Sequence, residues 1–513
     1  MILLLYKRKI FVWLAIMLLI TTLVQHELYS AETLTPQKQR KNVLLIAVDD
    51  LKPTLNCYGE TQIISPNIDK LADKGTVFTK AYCQWAVCGP SRASLLTGLT
   101  PNGSGVTNLK VQLREINPDV VTLPEYFKLN NYITAACGKV FDKRNVDNGH
   151  DSLSWSIPFT PWFRYKYPEE YPPFVSSKTY RVTKKTATEI GPEGIGDDGY
   201  DDGQICLDAL RKLDKLSQNP DQNFFLAVGF KKPHIPFIAP KKYWELYNRE
   251  DMNLAPFQRM AKNTREAFYS AREPKHYTDI PQLWTFNDID RGENILDPDN
   301  QRRLIHGYYA CVSYIDAQIG KLLAKLEEKG LSENTVVLLF GDHGYHLGDH
   351  NLWGKHTNFE QSVRAPLIIY NPGSSPGKYY HNPVEFLDIY PTLCELAGLE
   401  IPFENLQGKS LAPALEGEDF KSDYAVTNYH SGYSLRTKKY RYTVWMKSKH
   451  EDTPTKILWN DQRVKFTELY DYEKDSLETA NLIDDPKYKN IRNEMAANMK
   501  EWWNSQYEFL NKQ

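Results

Sequence analysis

Residues 42–48 read NVLLIAV, an unbroken apolar run rich in β-branched side chains, and the next two residues are Asp49 and Asp50. A run of that length without polar alternation suits a strand covered on both faces, because a strand with one wet face alternates. The pattern recurs. TVVLLF (335–340) runs into Gly341, Asp342 and His343, FFLAVGF (224–230) stops before Lys232, Pro233 and His234, and APLIIY (365–370) supplies a fourth run. Helical patterns lie between them, clearest at Leu304, Tyr308, Cys311, Ile315, Ile319, Leu322 and Leu326. Alternating strands and helices predict an α/β fold with a large, mainly parallel or mixed sheet sandwiched by helices. In such sheets ligands bind beyond the carboxyl ends of the strands. Asp49, Asp50, His234, Asp342 and His343 all fall there.

From about residue 400 the texture changes: a polar stretch with Gly and Pro leads to short alternating segments such as YSLRTKKYRYTVW and a last helix near 486–504. This predicts a catalytic α/β domain over 32–410 and a smaller C-terminal α+β subdomain over 411–513, with a small antiparallel sheet and a terminal helix. Two insertions, roughly 142–200 and 250–300, are too rich in Pro, Gly and aromatics for regular elements. At the N-terminus, Lys7, Arg8 and Lys9 precede an apolar run from Ile10 to Val24 that falls short of the roughly 20 residues of a spanning helix. Small residues follow at Ser30 and Ala31. The expectation is a signal peptide over 1–31, an exported protein (periplasmic or secreted, lysosomal if eukaryotic), and no stable membrane insertion after cleavage.

A formal charge of −2 gives no global field for a polyanion, so no nucleic-acid partner is expected, and an anionic ligand needs a local cluster of cations. The seven cysteines are scattered and odd in number, which reads mostly as small buried hydrophobes. Cys88 stands apart, in CGPSRASLLTG (88–98). Pro90 is placed to open a helix, so Cys88 lies near a helix N-terminus, where the dipole favours anions and is expected to lower a thiol's pKa. A cysteine nucleophile, however, wants a dedicated histidine with an orienting Asn or Asp. The chain instead offers Asp49 with Asp50 and Asp342 with His343, a hard, oxygen-rich set suited to Ca²⁺ or Mg²⁺.

Cys88, Pro90, Ser91, Arg92, Leu95, Thr97 and Gly98 match the C-x-P-S-R-x-x-L-x-T-G signature of the sulfatases. Seven specified positions at average residue usage match by chance about once in 10⁹ starts. AVDDLKPTLNCYG, CGKVFDK, FLAVGFKKPHIPF, DHGYHLGDHNLWGKHTNFE and SLRTKKYRYTVW are similar, within that family, to the iduronate-2-sulfatase-like members. The resemblance implies an alkaline phosphatase-like fold, with Cys88 oxidised to formylglycine (3-oxoalanine) by a formylglycine-generating enzyme, its hydrated aldehyde acting as nucleophile. It implies that Asp49, Asp50, Asp342 and His343, with the residue made from Cys88, surround Ca²⁺ (or Mg²⁺). Arg92 then fixes the nucleophile, Lys139, His234 and Lys355 contact the sulfate and leaving group, and His234 is the expected acid. One position departs. Asp142 stands where these members carry a histidine, and is read as binding a sugar hydroxyl or pairing with Lys139; nearby His150 is the alternative substitute.

The function expected is that of an exo-acting sulfatase on sulfated oligo- or polysaccharides, directed at 2-O-sulfated uronic acid. Two rivals are a phosphonate or phosphate ester hydrolase of the same superfamily, and a non-catalytic carbohydrate-binding protein with unmodified Cys88. In the second, the aromatic-rich stretch 154–174 would stack on sugars.

Overall fold

The computed structural model contains a mixed sheet of seven strands: β1 (Asn42–Val48), β2 (Thr76–Phe78), β3 (Ile133–Gly138), β4 (Phe224–Phe230), β5 (Thr335–Gly341), β6 (Leu367–Tyr370) and β7 (Lys378–Tyr380). Across the sheet they run β7, β2, β6, β5, β1, β4, β3. β1 is parallel to β4 and β5, β3 to β4, and β7 to β2, while β6 is antiparallel to β5 and β2. The structure describes residues 40–159, 186–191, 194–264, 273–280, 295–402, 404, 406–418 and 420–512, with Trp13 and Met17. The expected signal peptide, those two residues aside, and the aromatic stretch beyond residue 159 lie outside the described residues. Lys41–Gln513 packs as one compact unit.

The apolar runs are unbroken because both faces of the sheet are dry. Leu44, Ile46 and Val48 of β1 join a core built with α2 (Asp201–Leu216) and α3 (Pro298–Glu328). Val43, Leu45 and Ala47 join the opposite core, over α1 (Cys88–Thr97). α3 extends the expected 304–326 pattern: Pro298 takes its first position, and the Asp297 carboxylate accepts from the Asn300 N–H at 2.9 Å. All seven cysteines are free and six are buried, as small hydrophobes would be. Among the described residues no helix is long and apolar enough to cross a membrane.

C-terminal to this sheet, β8 (Tyr424–Tyr429), β9 (Gly432–Thr437), β10 (Tyr440–Met446) and β11 (Val464–Asp471) form an antiparallel meander. α4 (Lys489–Leu510) lays Met495, Met499, Trp502 and Trp503 against Tyr433, Leu435, Tyr442 and Val444. A buried carboxylate ties this sheet to the main body. Glu360 accepts from Tyr82 Oη at 2.9 Å, from Arg436 Nε at 3.3 Å and from Arg441 Nη2 at 2.6 Å, and Arg441 also pairs with Glu478 at 3.0 Å. Both guanidiniums are almost wholly buried.

Removing one member of such a cluster leaves charges stranded, so Glu360→Ala is expected to cost about 3–5 kcal/mol, while Glu360→Leu combined with Arg441→Met regains part of that. Denaturant unfolding midpoints of the three proteins check this; an unchanged midpoint in the single variant would refute it.

Candidate active site

Register brings the site together. Val48 of β1 lies opposite Phe230 of β4 and Gly341 of β5, the Asp49 N–H donates to the Phe230 carbonyl at 3.1 Å, and the Asp342 N–H to the Val48 carbonyl at 3.1 Å. On the far side of β4 the Lys139 N–H donates to the Gly229 carbonyl at 2.7 Å. Four neighbouring strands therefore deliver Lys139, His234, Asp49 with Asp50, and Asp342 with His343 to one edge. Gly229 is required by this crowding: a Cβ there would stand 1.9 Å from the Lys139 carbonyl oxygen. Asp50 turns the chain with φ of 61°, a conformation that Asp tolerates better than most residues. Its N–H is held by Asp342 Oδ1 at 2.9 Å and its carbonyl by Tyr308 Oη at 2.8 Å.

Cys88 is the first residue of α1 and is buried. Its Sγ lies 3.3 Å from His343 Nε2, 3.6 Å from Lys355 Nζ and 3.9 Å from Asp50 Oδ1. The expectation of a thiol acidified by the helix N-terminus is corrected here. Burial, with the Asp49 carboxylate beside it, pushes the Cys88 thiol well above its ordinary value. Unmodified, it is a protonated thiol and a weak nucleophile. One turn on, the buried Arg92 donates from Nε to Asp342 Oδ2 at 2.9 Å, from Nη2 to Asp49 Oδ1 at 3.3 Å, and from Nη1 to the carbonyls of Lys139 and Val140. It braces three strand ends at once.

Asp49, Asp50, Cys88 and His234 bring donor atoms within 4.8 Å of one another, as do Cys88, Asp342 and His343. Two observations show that this set fits a cation. Asp50 Oδ2 is buried without a hydrogen-bond partner, and burial pushes that carboxyl well up in spite of Lys355. His343 Nδ1 is 2.9 Å from the Gly344 carbonyl, which can only accept, so Nε2 carries the lone pair. That lone pair faces Asp50 Oδ1 at 3.4 Å and Asp342 Oδ1 at 3.5 Å. Although Asp50 Oδ1 and Asp342 Oδ1 have donors, a buried Asp50 Oδ2 without one beside this cluster of acceptors suits a positive ion, and mostly oxygen ligands match Ca²⁺ or Mg²⁺.

The other expected residues line the same space. Lys139 Nζ donates to both Asp49 oxygens at 2.8 and 2.7 Å, and Lys355 Nζ to Asp50 Oδ1 at 2.6 Å. His234 Nδ1 is 2.6 Å from the Ile235 carbonyl, which leaves Nε2 on the site side, 4.0 Å from Asp50 Oδ2. Burial, reinforced by Lys355, pulls that imidazole well below its ordinary value. Asp142 is buried, with Lys139 Nζ at 3.7 Å, but its closer partner is Arg144 at 2.6 Å. His150 stacks on Phe159 at 4.2 Å, and burial pulls its pKa down to about 3; among the described residues it makes no side-chain hydrogen bond to the site. Two residues were not anticipated. Glu273, in the second insertion, reaches Lys355 at 3.4 Å, and its carboxyl is held down to about 2, chiefly by Lys355 working against burial. Arg144 is the other.

A protein-family model described as Sulfatase matches residues 41–399, and one described as N-sulphoglucosamine sulphohydrolase, C-terminal, matches 348–505. The chain is 32% identical to iduronate 2-sulfatase of Homo sapiens, over 86% of this chain and 91% of that protein. It is 31% identical to iduronate 2-sulfatase of Mus musculus, over 87% and 91%. Its fold is similar to the solved phosphonate monoester hydrolase of Agrobacterium radiobacter, with a TM-score of 0.69 and 22% identity over 91% of this chain and 96% of that one. The architecture is the alkaline phosphatase-like α/β one expected from the sequence.

Stripping divalent cations with a chelator is expected to lower the thermal midpoint by several degrees and Ca²⁺ to restore it, since a ligand at a hundred times its Kd stabilises by about 2.7 kcal/mol. In Asp50→Asn that response should vanish. A variant that keeps the full shift places the ion elsewhere.

Proposed function

This chain belongs to the sulfatase family and is a sulfuric ester hydrolase, and we propose that its substrate is a sulfated glycan from which it removes the 2-O-sulfate of a terminal uronic acid. The likeness to two iduronate 2-sulfatases over most of the chain supports the uronic acid. The depth of the site supports exo action: Cys88 is 2% exposed and Lys355 3%, which suits a chain end better than the middle of a polymer. The single observation that carries the reading is the convergence of Cys88, Arg92, Lys139, His234 and Lys355 on the acidic pairs.

Asp49, Asp50, Asp342 and His343 would hold Ca²⁺, with Mg²⁺ as the other fitting ion, and the ion supplies Lewis-acid polarisation of the ester. Cys88 is the site for conversion to formylglycine by a maturation enzyme, whose hydrate supplies both the attacking hydroxyl and the means to expel sulfate afterwards. The chain's own residues do the rest. Arg92 fixes Asp49 and Asp342 and cannot lose its charge. Lys139 and Lys355 present ammonium groups to the sulfate oxygens. His234 starts neutral, and an anionic ester beside Nε2 favours its protonated form, from which it can donate to the departing sugar oxygen. The N-terminal segment 1–31 is read as a signal peptide, and the enzyme as exported.

An acid is needed only where the leaving group is poor. His234→Ala is therefore expected to slow sulfate release from a 2-O-sulfated uronic acid disaccharide by about 10²–10⁴-fold, and to slow an aryl sulfate, whose phenolate leaves unaided, far less. Steady-state rates of the matured enzyme on both substrates check this. Equal losses would remove His234 from the acid role, and a wild type that prefers aryl phosphate to aryl sulfate would overturn the sulfatase reading.

A further inference from the structure

We propose that Arg144, gripped by Asp142, is an anion-recognition residue at the rim of the site, selecting substrates with a second anionic oxygen group, a carboxylate or another sulfate, beside the ester being cleaved. This rests on the sulfatase reading above and names what that site selects.

The loop after β3 is built to hold this side chain. Asp142 is 2% exposed and gives both oxygens to Arg144: Nε donates to Oδ1 at 2.8 Å, Nη2 to Oδ2 at 2.6 Å, and the Arg144 backbone N–H to Oδ1 at 3.0 Å. A sugar hydroxyl arriving at Asp142 would have to compete with that fork. Asn145 pins the loop by donating from Nδ2 to the carbonyls of Asn108 at 2.8 Å and Val111 at 2.7 Å. The loop presses on the nucleophile helix, for a Cβ on Gly89 would stand 2.0 Å from Asn145 Oδ1. Arg144 thus stands next to the residue whose side chain packs on Gly89, and close enough for the Asp49 carboxylate to act on it.

Its charge is also left facing outwards. A guanidinium has five N–H donors, and the Asp142 fork uses one on Nε and one on Nη2. Nη1 has no acceptor among the described residues, and the side chain is 47% exposed. A carboxylate 3.7 Å from Lys139 would by itself repel an incoming sulfate. Paired with Arg144 it becomes an anchor, and the rim carries a planar, positively charged donor edge matched to carboxylate or sulfate oxygens. Asp142 is then a positioning residue and Arg144 the contact.

The test compares preference ratios, which are internal to each protein, so a partly misfolded variant does not distort them. Matured wild type, Arg144→Gln, Arg144→Lys and Asp142→Asn are assayed on two substrate pairs. One is a 2-O-sulfated uronic acid disaccharide against its carboxyl methyl ester; the other is glucosamine 2-N,6-O-disulfate against glucosamine 6-O-sulfate. The wild type is expected to prefer the more anionic member of one pair at least tenfold in kcat/KM, mainly through KM. Arg144→Gln should bring that ratio near one, Arg144→Lys should keep part of it, and Asp142→Asn should reduce it. The pair that shows the preference identifies the anion: preference confined to the disulfate sinks the uronic acid substrate and leaves Arg144 standing. A wild type without preference in either pair, or an Arg144→Gln protein that keeps it, overturns the assignment.

Discussion

Three carboxylates, Asp49, Asp50 and Asp342, stand at the ends of adjacent strands with 0–2% exposure, and everything else at this end of the sheet answers that concentration of negative charge. Each buried ion costs several kcal/mol unless it is paired and hydrogen-bonded. Arg92 answers two of them through a rigid fork, Lys139 a second time at Asp49, and Lys355 answers Asp50. The compensation is uneven. Asp50 keeps one oxygen, Oδ2, without a hydrogen-bond partner, while its Oδ1 is taken by Lys355. That unevenness gives the site two senses at once. Lys139 and Lys355 are occupied by carboxylates, and a cation shared by those carboxylates would free both ammonium groups to meet an anion.

The same electrostatics decide what position 88 can be. A helix N-terminus acidifies a thiol when water reaches it; here burial, with the Asp49 and Asp342 carboxylates, outweighs Lys139 and Lys355, and the thiol stays protonated. A cysteine-protease-like role is therefore disfavoured by the pocket itself. The position selects against the reactivity that the encoded residue would ordinarily bring.

The strands around the centre were legible because sheets buried on both faces leave continuous apolar runs, and acidic residues breaking such runs mark their carboxyl ends. β3 was not, because Ile133–Gly138 contains mainly small residues whose burial comes from fitting under α2 and beside β4, not from hydrophobicity. That Asp49, Asp50, Asp342 and His343 meet was legible from the strand ends, and that Arg92 stands beside Cys88 from the motif. Glu273 was not, since it comes from an irregular insertion and meets Lys355 only in the folded chain; its one local trace is Gly354, where a Cβ would stand 3.0 Å from Glu273 Cγ. Asp142 was visible as a departure, but its partner two residues on was hidden, because the fork depends on how the loop turns.

The C-terminal sheet belongs to the same argument. Composition shifts near residue 400, yet the segment that carries Lys355 continues into Glu360, and Glu360 is held by Arg436 and Arg441 on β9 and β10. A family model beginning at residue 348 and ending at 505 spans just that linkage. Lys355 would otherwise sit on a short irregular stretch between the two-residue ladder at Trp353–Gly354 and a four-residue helix, too little regular structure to fix an ammonium beside Asp50. Glu360, five residues on, anchors that stretch to the meander through a nearly dry ion cluster. The meander thus holds the far end of the loop that carries Lys355.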